Sequence, residues 1–200
     1  MTKKTLSEAL SVLRNGDLLL FRQESVISRL GRGKHSHAAL FAWWNDEPFC
    51  VEVLQGVGGR AVHLAPLVQK YPGQYEIFQA DPDARWGNFD REGTVRAMCR
   101  LTGCHYGYHS VLRTAILHLP LIRLLVPAET DDSTHSESAR PFCSQAVTMA
   151  CRLGGNVDPV PQLADRCTEP SDLARSPFFR FWGALIPDSP LESEERILFE

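Results

Sequence analysis

Leu6, Leu10 and Leu13 recur at helical spacing within KTLSEALSVLR and predict a short amphipathic helix over residues 4–14. Asn15-Gly16 ends it, and residues 17–22 (DLLLFR) read as a buried strand. Residues 36–44 (SHAALFAWW) and 49–54 (FCVEVL) flank the turn residues Asn45-Asp46, which predicts an antiparallel hairpin. Residues 60–64 and 75–80 read as further strands, separated by a helical turn around 66–70. After Asp81-Pro82 the pattern turns helical: residues 91–101, stopped by Gly103, then 108–117, then 142–153, closed by Gly154-Gly155. Residues 119–126 are strongly apolar, interrupted by Pro120 and closed by Pro127. Residues 128–139 (AETDDSTHSESA) lack large apolar side chains and predict an exposed acidic loop. The proline-bearing remainder predicts loops, short helices and an acidic tail from Pro187.

Strands that cluster early, followed by helices, suit an α+β fold better than the alternation of a doubly wound sheet. With 200 residues, residues 1–186 are expected to form a single domain with its own core, followed by an acidic tail over 187–200. The net charge of −3 and the lack of a basic tract speak against nucleic acid as a partner. The N-terminus carries lysines without an apolar segment, and no run of 18 apolar residues occurs, so a cytoplasmic location is expected. The six cysteines, 50, 99, 104, 143, 151 and 167, are irregularly spaced and read as mostly buried thiols.

Cys143 lies in Pro141-Phe-Cys-Ser-Gln-Ala-Val, where a loop meets a helix; Pro141 is a natural helix-start residue, and positions 142, 146, 147, 149, 150 and 153 form the predicted buried face. A thiol in the first helical turn faces unpaired N–H groups and the positive end of the helix dipole, which favour thiolate. A small core cysteine is the competing reading. A thiol nucleophile needs a base, and His37 sits at the start of an otherwise apolar strand. His35 shares its parity but has Lys34 and Ser36 as flanks, so greater exposure is expected of it. Glu52 stands among apolar residues on the adjoining strand and could orient His37 across the ladder; a place on a solvent-facing side, with Cys50, is the alternative. Tyr106 follows the Gly103-Cys-His turn, where a phenol could reach an oxyanion or simply pack.

In order, Gly16-Asp17-Leu-Leu-Leu-Phe, Ser36-His37-Ala-Ala-Leu, Val51-Glu52-Val-Leu, Gly103-Cys-His-Tyr106 and Phe142-Cys143-Ser-Gln-Ala-Val resemble the YiiX-like branch of the NlpC-type peptidases. The resemblance spans about residues 16–179. It implies a circularly permuted papain-like fold, a small antiparallel sheet packed against helices with the nucleophile at a helix N-terminus. It implies Cys143 as nucleophile, His37 as base, Glu52 as orienting acid and Tyr106 on the oxyanion side. Gln145 stands where that branch often has glutamate, and Ala38 where it often has glycine.

The expected activity is a thiol-dependent hydrolase or acyltransferase acting on an amide, ester or thioester through an acyl-Cys143 intermediate, without a cofactor. The substrate would be a peptide, another amide or an acyl lipid. A catalytically silent binding or structural member of the fold is one alternative. A lipid-directed acyltransferase at a membrane surface is another, with residues 111–126 as an apolar flap instead of a core helix. A zinc protein using His35, His37, Cys104, His105 and His109 is disfavoured because no ligand pair has structural-zinc spacing.

Overall fold

A computed structural model describes residues 2–22, 34–105 and 141–189 of the chain. Its framework is a seven-stranded sheet of order β1-β7-β6-β2-β3-β4-β5. The strands are β1 Lys3–Thr5, β2 Leu18–Arg22, β3 His35–Trp44, β4 Glu47–Leu54, β5 Gly58–His63, β6 Tyr75–Ala80 and β7 Phe179–Ile186. All neighbours pair antiparallel except β1 with β7. Among the described residues the α-helices are α1 Leu6–Leu10, α2 Leu64–Lys70, α3 Arg91–Cys99, α4 Cys143–Leu153 and α5 Pro170–Arg175. The class is α+β, but the sheet is larger than the small antiparallel one expected, and it is mixed.

Both faces of the sheet are covered, which is why β2 reads Leu-Leu-Leu-Phe without alternation. Leu18, Leu20, Leu40, Val51 and Val53 pack against α3, α4 and Leu173 of α5. Leu19, Phe41, Cys50 and Ile77 pack on the opposite face against Leu6 and Ala9 of α1 and Leu64 and Val68 of α2. The β3–β4 hairpin turns through Asn45 and Asp46 at φ 50° and 62°, the left-handed pair that a two-residue hairpin turn requires.

Four expectations need correction. Residues 3–5 are a strand that pairs with Ala184–Ile186, so the first helix shrinks to Leu6–Leu10, started by a Thr5–Glu8 capping box. The proline-bearing remainder before the tail contains β7, hidden in the sequence by the flanking prolines, instead of only loops and short helices. Pro141 precedes the cap residue Phe142 and is not the first helical residue. Helix α4 is buried on all sides from Cys143 to Cys151, whereas Leu153, assigned to its buried face, is 48% exposed. All six cysteines are free thiols, four of them buried. The predicted helix at 108–117, the apolar segment 111–126, the loop 128–139 and most of the tail lie outside the described residues. Among the described residues, no helix is long and apolar enough to cross a membrane.

Candidate active site

The site forms at the end of the sheet where β3 begins and β4 ends. Ala39 is the direct partner of Glu52 across the β3–β4 ladder. His37, two residues nearer the strand start on the same pleat, is its diagonal neighbour, within reach of a long side chain. His37 Nε2 and Glu52 Oε2 are 2.7 Å apart. Glu52 is 2% exposed, so the solvent-facing alternative is wrong: that face is roofed by α1 and α2.

A buried carboxylate needs partners, and Glu52 has them on both oxygens. Arg60, directly opposite on β5, donates Nε to Oε1 at 2.8 Å and places Nη2 2.6 Å from the same oxygen. Cys50 Sγ makes a long contact of 3.9 Å with Oε2. Burial, with Glu52 beside it, pushes the Cys50 thiol well up, so it keeps its proton. Burial alone would raise Glu52, but the hydrogen bond and charge of His37, then those of Arg60, outweigh it and hold the carboxyl down. Glu52 is therefore ionised. Arg60 is a residue that the sequence reading missed; its signal was an arginine in a strand opposite an acid, invisible without the register.

Cys143 enters from α4, on the other side of the sheet, and is 5% exposed. Its thiol and the His37 ring hydrogen-bond to each other, and the Ala38 and Ser144 backbone N–H groups donate to Sγ. Since Nε2 faces Glu52, Nδ1 is the nitrogen left for Cys143. Burial opposes charge on both groups; their mutual bond and attraction, with Glu52 acting on the imidazole and the Ala38 and Ser144 N–H groups on the thiol, overcome it, lowering the thiol and bringing the imidazole up to about 10. The pair thus favours thiolate and imidazolium, shielded from water and so more strongly coupled. The Cys143 N–H, in the first turn of α4, has no acceptor within the helix. Such a group can bond an oxyanion.

The remaining candidates separate. His35 is not the more exposed histidine: it is 7% exposed, with Nε2 2.8 Å from Glu76 Oε2 and its ring against Phe78. A bulge between Phe21 and Arg22 in the β2–β3 ladder breaks the parity that made it a rival of His37. Tyr106 and His109 lie outside the described residues. The turn leading to Tyr106 is anchored on β5: Gly59 N–H donates to Cys104 O at 2.9 Å and Gly103 N–H to Gly59 O at 2.7 Å. A Cβ at Gly59 would stand 1.7 Å from Leu101 O, so only glycine allows this approach. Among the described residues, no group of three His, Cys, Asp or Glu side chains could hold a metal ion.

No family model matches the sequence, and no curated protein matches it either. Among solved structures the chain is similar to that of the metalloprotein yiiX from Escherichia coli O157:H7, DUF1105. The TM-score is 0.50 at 12% identity, covering 87% of this chain and 98% of that one. The likeness shows a YiiX-like fold and, at that identity, nothing about individual residues.

Proposed function

We propose that this chain is a thiol-dependent hydrolase or acyltransferase, of the permuted papain-like order in which the base and acid precede the nucleophile. The observation that carries the reading is the unbroken chain Cys143–His37–Glu52, with the thiol at a helix N-terminus.

In this mechanism the Cys143 thiolate attacks the carbonyl carbon of an amide, ester or thioester. The carbonyl oxygen becomes an oxyanion facing the Cys143 N–H. The His37 imidazolium gives its proton to the leaving amine, alcohol or thiol as the bond to carbon breaks. This leaves an acyl-Cys143 thioester and a neutral imidazole. Water or an acceptor nucleophile then attacks the thioester, His37 takes the proton, and Cys143 leaves as thiolate. Glu52 reacts with nothing; it fixes the ring and stabilises the imidazolium.

The yiiX structure bears the description metalloprotein. A metal does not fit Cys143, His37 and Glu52 here: both Glu52 oxygens are engaged by His37 and Arg60, and the thiol and the imidazole already bind each other. No step is routed through a metal.

The test is to incubate the full chain with an aryl ester or thioester and weigh it intact. A mass increase of one acyl group, mapped to Cys143 and lost in Cys143→Ala, supports the reading. A wild-type chain that never acquires an acyl group from any activated donor supports a silent binding protein.

A further inference from the structure

The end of the sheet opposite Cys143 carries a cavity. Where β2 begins and β6 ends, a cavity of about 280 Å³ is lined by three arginines, Arg14, Arg91 and Arg180, against one acid, Asp17. Phe21, four residues beyond Asp17, pairs with His37. The cavity is therefore roughly 13 Å along the strand from the Cys143 site.

Asp17 does not oppose an anion there, because the fold already neutralises it. Its Oδ2 accepts the Arg14 N–H at 2.9 Å, and its Oδ1 accepts the Ala80 N–H and Arg91 Nη1, each at 3.0 Å. Arg91 donates further to the carbonyls of Asn15, at 2.8 Å, and Ala80. Asp17 and Arg91 make a neutral, rigid floor. Above it the charge is positive. The exposed Arg14 guanidinium and the Gln79 amide have no partner among the described residues. Arg180 meets Asp83 at 2.8 Å, but both are about half exposed and Asp83 is shared with Arg85 at 3.2 Å. An exposed pair of this kind is weak and readily exchanged.

We propose that this cavity binds a phosphate group, held by the Arg14 and Arg180 guanidiniums with the Gln79 amide as a neutral donor. The planar arginine fork matches phosphate oxygens in a bidentate way. The volume sits just below the usual range for small-molecule pockets, which begins near ~300 Å³. It suits a phosphate with a short substituent, free in solution or on a lipid headgroup, and excludes a bulky cofactor. Phosphate binding there is independent of the chemistry at Cys143.

The full chain would be titrated calorimetrically with inorganic phosphate and pyrophosphate at fixed ionic strength. In parallel it would be sedimented with phosphatidic acid vesicles and with phosphatidylcholine vesicles. Saturable binding to at least one phosphate probe is expected, at least tenfold weaker in Arg14→Gln/Arg180→Gln, with the Cys143 alkylation rate unchanged. Saturation by the soluble anions identifies a free phosphate ligand; binding only to phosphatidic acid vesicles identifies a headgroup. If the double variant misfolds, Arg14→Gln alone, whose guanidinium has no hydrogen bond or ion pair among the described residues, should weaken binding at least threefold. No saturable binding to any phosphate probe, or binding unaltered by these substitutions, overturns the proposal.

Discussion

Glu52 and Arg60 face each other directly across the β4–β5 ladder, and the guanidinium bonds the one carboxylate oxygen that His37 does not use. Glu52 is thus itself held in place and kept ionised from the neighbouring strand. In the proposed mechanism Arg60 is a positioning residue. Arg60→Gln should lower kcat/KM on an acyl donor by about tenfold and should shift the pH profile of Cys143 reactivity. Arg60→Lys should restore part of both, since charge returns without the fork. A merely structural role would lower thermal stability and leave that pH profile in place.

Glu52→Gln keeps the size of the side chain and removes its charge. The imidazolium then loses its stabilising partner, and turnover should fall on the order of 10²-fold, the low end of what a positioned acid–base group supplies. KM should move little. Undiminished kcat in this variant would show that His37 works without its acid.

The pair of shifts at the site sets a stability signature. A histidine raised from its ordinary 6.5 contributes stability that is complete below that pH and is lost towards about 10. A thiol lowered from its ordinary 9.0 contributes stability that is complete above that pH and is lost as pH falls towards its folded value. From the folded thiol value, or from 6.5 where that is the higher, up to 9.0 the two slopes cancel: folded and unfolded forms bind the same number of protons there. The stability difference between wild type and the double variant Cys143→Ser/His37→Gln, which lacks both groups, should be flat across that window in urea unfolding and shrink on both sides. A steady drift through the window would contradict an ion pair.

Gly59→Ala tests the anchoring of the turn before Tyr106. The new methyl meets the Leu101 carbonyl, and overpacking of this kind is worth about 1–3 kcal/mol. The variant should lose that much stability and also acylate more slowly. A loss of stability with unchanged acylation would separate this turn from the reaction.

Much of the fold was legible because its signals are local. The Asn45-Asp46 turn, the apolar run of β2 and the Gly154 stop of α4 all declare themselves within a few residues. Cys143, His37 and Glu52 stood out as polar groups at apolar or helix-start positions, and the structure brings those three together. What escaped depends on register and on partners remote in sequence. Arg60 matters only because β5 pairs it with Glu52. His35 is buried only because β6 delivers Glu76 beside it and a bulge shifts its place in the ladder. Residues 3–5 become a strand only because β7, nearly the whole chain away, offers them an edge.

The central claim is that His37 makes Cys143 a nucleophile. Its most direct measurement is the rate of Cys143 alkylation by iodoacetamide against pH, followed by mass, in wild type and His37→Ala. The account predicts a wild-type rate that stays high well below the ordinary thiol value of 9.0. In His37→Ala the inflection should rise towards that value, because the bond and charge of the ring are lost and only the Ala38 and Ser144 N–H groups still oppose burial. Superimposable profiles, both inflecting near the ordinary thiol value, would contradict it.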